Sequence, residues 1–238
     1  MGGGTLNRER EEFTIDIGVK YAGKSDFHID YTVVENEIAA NLPLSPYLNY
    51  ESAVKVNPNP GSRVLAYIHE PYFNRTLEHY SSHRNTPYKM QKADYPAVVL
   101  DENAAYIAHA VDKQYFENGS KVHRDLFRNV LDLVHQNPMI KVNLPSSGRV
   151  NLLHQPESNR YVVHLLYAVP IQRGIAQVIE DMVPLYDITV KIKLPEKVSR
   201  VYTIPDNEEL RITKKDGYLE VVIPKLLCHQ AVVYEYNN

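Results

Sequence analysis

The chain has 238 residues, 44% of them hydrophobic and 23% charged, with a formal charge of -3 and a pI near 6.4. That is ordinary globular composition for one large domain or two small ones. The lysines and arginines are scattered and build no basic field, which excludes nucleic acid as a partner, and no apolar run approaches the roughly 20 residues that cross a bilayer. The single cysteine, Cys228, forms no internal disulfide, and no apolar leader follows Met1, so the expected location is cytoplasmic.

Residues 1–12 are glycine-rich and then charged, too polar to bury anything, and are expected to form a flexible tail. From Phe13 to about Pro60 a short strand-like run, Phe13 to Val19, gives way to prolines at 43, 46, 58 and 60, which predicts mostly loop with short strands. A β-favouring run at Ser62 to His69 follows the Pro60-Gly61 turn. A strand pair is expected at Ala97 to Leu100 and Ala105 to Ala108, joined by Asp101-Glu102-Asn103. Val122, Leu126, Val130 and Val134 recur every four residues, with Phe127 and Leu131 widening the stripe, and predict one amphipathic helix of about four turns.

Beyond Pro138 the period turns from helical to alternating, and a domain boundary is placed near Pro145. Seven strands follow, at about 149–154, 161–167, 187–193, 198–204, 210–213, 218–223 and 231–236. Their linkers carry turn chemistry, such as Lys214-Lys215-Asp216-Gly217, and strands at this spacing predict an antiparallel β-sandwich.

The densest polar segment is Glu70 to Pro87, directly after the strand at 62–69, where a rigid scaffold would hold a binding loop. It offers tyrosine faces for a sugar ring, amides and hydroxyls for its hydroxyl groups, and Arg75 for a carboxylate. The plainer alternative is that Arg75 pairs with Glu78 while Tyr72 and Phe73 pack as core. His79 and His83 would share one face of a helix, but Glu78 precedes the first histidine and no third ligand is evident, so no metal site is expected. Glu70, Glu78, Asp101 and Glu102 could supply a glycosidase carboxylate pair by composition alone. His154, Arg160, His164 and Arg173 could form a polar face on the sandwich. Nothing in the motifs implies a cofactor.

Pro71-Tyr72-Phe73-Asn74-Arg75-Thr76, with His79, Ser82-His83 and Thr86-Pro87, resembles bacterial glycoside hydrolases that carry a β-galactosidase trimerisation-like domain, a group that includes α-L-fucosidase-like enzymes. Asn143 to Ser147 with His154 to Tyr161, and Ile179-Glu180-Asp181 with Pro184 to Asp187, are similar to the junction into the family's last domain and to its middle strands. Together the matching stretches span about Asp16 to Tyr236. Tyr80-Ser81 departs from the aromatic-cysteine pair expected there. The family order is a catalytic (β/α)8 barrel, a flavodoxin-like trimerisation lobe and a C-terminal β-sandwich, and this chain matches only from late in the lobe onward.

The resemblance implies an α+β chain: a tail at 1–12, a partial mixed α/β, flavodoxin-like trimerisation domain at 13–145, and an antiparallel β-sandwich at 146–238. It implies an accessory and assembly role in a homo-oligomeric glycoside hydrolase acting on carbohydrate, with catalysis residing in the barrel. Tyr72, Asn74, Arg75, His79 and His83 would bind substrate or line an interface by hydrogen bonding and orientation. Two further readings are a free-standing carbohydrate-binding module, suggested by 18 tyrosines and opposed by the lack of tryptophan, and a purely structural oligomerisation unit.

Overall fold

The computed structural model describes residues 6–7, 9, 11–102 and 104–237. Residues 1–5, 8 and 10 of the expected tail, Asn103 of the expected turn and Asn238 lie outside them. The chain divides into two compact units, Met1–Gln136 and Asn137–Asn238.

The strands of the first unit are β1 (Leu6–Asn7), β2 (Glu12–Phe13), β3 (Val19–Lys24), β4 (Asp30–Val34), β5 (Tyr47–Asn49), β6 (Val54–Pro58), β7 (Arg63–His69), β8 (Pro96–Leu100) and β9 (Ala105–Ile107), followed by helices α1 (Val111–Asn118) and α2 (Lys121–Val134). Five of them form a sheet in the order β5-β4-β7-β8-β9, while β1 pairs with β2 and β3 with β6. Every one of these pairings is antiparallel.

This corrects the expected mixed α/β, flavodoxin-like remnant. A doubly wound lobe needs parallel strands joined by helical crossovers. Among the described residues, the two α-helices of this unit stand in succession after its last strand, so no α-helix connects paired strands. The flavodoxin-like expectation came from the resemblance, and the largely buried β8 does not argue against it in sequence, since a strand buried on both faces looks the same in either sheet type.

The core of this unit joins Ile38, Val56, Ile68, Val98, Leu126 and Val130. In α2 the buried positions are His123, Asp125, Leu126 and Val130, whereas Phe127, Leu131 and Val134 of the expected stripe are exposed. α1 was not foreseen; it ends at Gly119, whose φ of 63° is the left-handed geometry of a helix C-terminus. Gly18 is required more strictly. Its φ is 76° and an added Cβ would stand 2.4 Å from the Cβ of Asp101.

The second unit contains β10 (Ile140–Val142), β11 (Arg149–Gln155), β12 (Arg160–Leu166), β13 (Ile171–Arg173), β14 (Ala176–Val178), β15 (Leu185–Ile192), β16 (Val198–Ile204), β17 (Thr213–Lys215), β18 (Tyr218–Leu226) and β19 (His229–Tyr236). Two four-stranded antiparallel sheets, β10-β15-β18-β17 and β11-β12-β19-β16, share one core in which Val190, Ile192, Val221 and Ile223 of the first meet Val163, Leu165, Val232 and Tyr234 of the second. This is the β-sandwich. Asp216-Gly217, with φ of 51° and 78°, form the two-residue turn between β17 and β18, the chemistry expected of an Asp-Gly hairpin. The strand expected at 210–213 begins only at Thr213, and Leu210 instead donates its N–H to the Val201 carbonyl and enters the core.

Candidate functional site: a pinned loop and the polar core of its unit

The loop leaves β7 at Glu70 and returns at Lys89. An isolated antiparallel bridge between Pro71 and Tyr88 closes its base, together with N–H donations from Lys89 to the Glu70 carbonyl (2.8 Å) and from Tyr72 to the Pro87 carbonyl (3.0 Å). Thr86 is buried and ties the two arms: its Oγ1 donates to the Phe73 carbonyl (3.0 Å), and its own carbonyl accepts from the Tyr31 hydroxyl (2.6 Å). A local turn forms the far end, where the Thr76 N–H donates to the His79 carbonyl and the His79 N–H to Thr76 Oγ1.

The five residues singled out in the sequence fall into two roles. Asn74 is an anchor: its Oδ1 accepts from the His28 N–H (2.9 Å) and its Nδ2 donates to the Asp26 carbonyl (2.8 Å), so both ends of the amide are occupied. Tyr72, Arg75, His79 and His83 are exposed. Arg75, Thr76, Leu77 and Tyr80 line a shallow depression at the tip, where Leu77 is 97% and Tyr80 71% exposed. The local alternative is not what forms. Tyr72 is 61% exposed rather than core, Phe73 is half-buried with the His79 ring 6.3 Å away, and among the described residues no ion pair joins Arg75 to Glu78. His79 and His83 lie in loop, not helix, and among the described residues no group of three His, Cys, Asp or Glu is placed to hold a metal.

The candidate carboxylates are structural or solvated. Glu70 takes an ion pair from Lys89 (3.1 Å) and lies 3.2 Å from the Tyr95 hydroxyl, which is also 3.1 Å from Ser25 Oγ; burial pushes the Tyr95 phenol up. Asp101 accepts from the Ser62 hydroxyl at 3.1 Å. Glu78 stands exposed.

No pattern in the sequence marks the buried polar group around Asp30 and Asn49. Asp30 and Asn49 are fully buried at the start of β4 and the end of β5. Asp30 Oδ2 is 2.9 Å from His109 Nε2 and Oδ1 accepts from Asn49 Nδ2 at 2.7 Å; the same amide donates to Thr32 Oγ1 at 2.8 Å. Asn49 Oδ1 lies 3.1 Å from His123 Nε2 on α2. Gln114 of α1 accepts the Tyr50 N–H at 2.7 Å. The period-2 burial of β4 that points Val34 inward also points Asp30 and Thr32 inward, which a reading for apolar alternation does not detect.

In the second unit the four expected polar-face residues do not converge. His154 stacks on Tyr161 with centroids 4.1 Å apart, Arg160 donates to Gln155, His164 Nδ1 lies 3.2 Å from His229 Nε2, and Arg173 pairs with Glu180. Among the described residues no helix is long and apolar enough to cross a membrane.

The antiparallel unit with its exposed polar loop and the β-sandwich that follows it in the chain recur together in one solved glycoside hydrolase. The chain is similar to the α-L-fucosidase isoenzyme 2 of Paenibacillus thiaminolyticus, with 31% identity and a TM-score of 0.90 over 99% of its own length. It spans only 36% of that fucosidase. A cycloisomaltooligosaccharide glucanotransferase of Paenibacillus sp., solved with cycloisomaltoheptaose, aligns with 89% of this chain and 37% of its own at 13% identity and a TM-score of 0.29, too little to carry an argument. No family model and no curated protein matches the chain.

Proposed function

We propose that this chain is the accessory, non-catalytic region of an α-L-fucosidase-like glycoside hydrolase, acting beside a catalytic part that holds the acid and the nucleophile. The single supporting observation is the match to the fucosidase, end to end for this chain and about a third for the enzyme. The carboxylates of the loop fit that division of labour, because Glu70 is held by Lys89 and Tyr95 rather than free for proton transfer. Arg75 and Tyr80 at the exposed tip, and the exposed ring of Tyr72 nearer the base, are suited to meet a sugar or the rim of a catalytic pocket, with Asn74 setting the loop's position. Self-association of the assembled enzyme belongs to the same proposal.

The test is a hybrid in which this chain replaces the matching region of the Paenibacillus fucosidase. Hydrolysis of a nitrophenyl α-L-fucoside is expected from the hybrid, and none from the chain alone. The reading fails if the purified chain itself cleaves the fucoside at enzyme-like rates and Glu70→Gln or Glu78→Gln abolishes the cleavage.

A second reading, a carbohydrate-binding module that needs no catalytic partner, is favoured by the two exposed rings of Tyr72 and Tyr80 in one loop. Calorimetric titration of the isolated chain with L-fucose separates the two, since only this second reading expects saturable heat.

A further inference from the structure

The polar chain behind β4 and β5 has a fixed proton arrangement. Asp30 Oδ1 accepts from the Asn49 amide, and its Oδ2 faces His109 Nε2. Asn49 therefore turns its amide nitrogen to Asp30 and Thr32, which leaves only its oxygen for His123. His123 must carry its proton on Nε2. Its Nδ1 is then a bare acceptor, buried without a hydrogen-bond partner, and the Tyr47 hydroxyl and Gln114 Nε2 are likewise buried and unpartnered.

We propose that this chain is an acid-sensitive latch, in which proton uptake by His123 Nδ1 releases α1 and the first turns of α2 from the sheet while the strands stay paired. Among the described residues, the helical layer reaches the sheet and the segment after β5 through His109 just before α1, Lys113 and Gln114 on α1, and His123 on α2. Beyond them, Asn129 donates to the Ile38 and Ala40 carbonyls and holds the later turns of α2.

Of the groups around His123, the Leu48 carbonyl alone favours a new positive charge. From β4 come Asp30, with both oxygens taken, and Thr32; from β5 and the residue after it come Tyr47, Asn49 and Tyr50, the two tyrosine rings each 6.2 Å from the imidazole. From the helical layer come His109 and Gln114. On its own helix Asp125 is engaged by Lys121 and Arg124. Burial first and repulsion from His109 second lower the pKa of His123 from 6.5 to about 4, with the Leu48 carbonyl opposing the shift.

A histidine whose folded-state pKa is depressed binds its proton better in the opened form. The latched state therefore has its full stability above about pH 6.5 and loses it as the pH falls through about 4. Linkage between those two values raises the opening equilibrium about twentyfold from pH 7 to pH 5.

Hydrogen exchange of the full chain, corrected for intrinsic rates, reads this directly. Protection over residues 111–126 is expected to fall about twentyfold between pH 7 and pH 5, with β7 and β8 unchanged. In His123→Gln, which retains an N–H for Asn49 and has nothing to titrate, that fall disappears. An equal fall in His123→Gln, a parallel loss across β7 and β8, or no fall at all overturns the latch. Should His123→Gln not fold, the ring signals of His123 in the unmodified chain decide by NMR titration: a ring still neutral at pH 5 supports the proposal, and one that titrates near 6.5 sinks it.

Discussion

Among the described residues and leaving tyrosines aside, the sandwich fully buries Thr203 and Gln230 as polar side chains, while the first unit buries Asp30, Thr32, Asn49, His109, Gln114, His123 and others. The sandwich holds two sheets face to face by matching alternating apolar positions, a device that is insensitive to proton concentration. In the first unit a small five-stranded sheet receives two helices, and a share of the docking energy is directional. Buried polar networks of this kind specify one arrangement closely when every member is satisfied, and are costly when one is lost. The 70–87 loop stands on the second kind of core.

The sharpest way to break this contrast is Asp30→Ala. It strands His109 and Asn49 in the interior, and the expected loss is about 3–5 kcal/mol, read by urea denaturation of the full chain. A loss under about 1 kcal/mol would mean that the network contributes little and that the two cores are alike in kind. Next in size is Leu165→Ala in the sandwich, where removing a fully buried side chain should cost about 3 kcal/mol with the same value at pH 7 and pH 5. A pH-dependent cost there would erase the difference between the units.

The sandwich was legible because its physics is written locally. Core residues at every second position (Tyr161, Val163 and Leu165; Ile188, Val190 and Ile192; Val232, Tyr234 and Tyr236) and the Asp216-Gly217 turn each point to the same architecture within a few residues. The first unit was misread because the resemblance set its expected fold, and the decisive fact against it, antiparallel pairing of β4 with β7 and β7 with β8, is a long-range one that the local pattern does not record. The 70–87 loop was visible as a polar segment after a strand, but the division between Asn74 as anchor and Arg75 as free tip depends on Asp26 and His28, more than forty residues away. Asp30, Asn49 and His123 were invisible for the same reason: each looks like an ordinary polar residue until its partner is placed beside it.

Asn74→Ala should be milder than either core change, costing about 1 kcal/mol for the lost hydrogen bonds, with faster hydrogen exchange confined to residues 26–28 and 70–87. An unchanged exchange pattern would show that the bridge of Pro71 with Tyr88 and the buried Thr86 alone position the loop.

The smallest effect on stability carries the most about function. Arg75→Ala removes an exposed guanidinium that has no ion pair among the described residues, so the folded state of the isolated chain should not change. In the hybrid fucosidase the same substitution separates two uses of the tip. If Arg75 donates to a substrate hydroxyl or ring oxygen, losing that charged hydrogen bond should raise KM about tenfold with kcat nearly unchanged, since the contact would be made equally in the ground and transition states. If the tip instead packs on the catalytic part, Leu77→Ala and Tyr80→Ala should weaken assembly, with activity lost on dilution and recovered on concentration. Unchanged kinetics and assembly in all three variants would remove the loop from function and leave the accessory role to the rest of the chain.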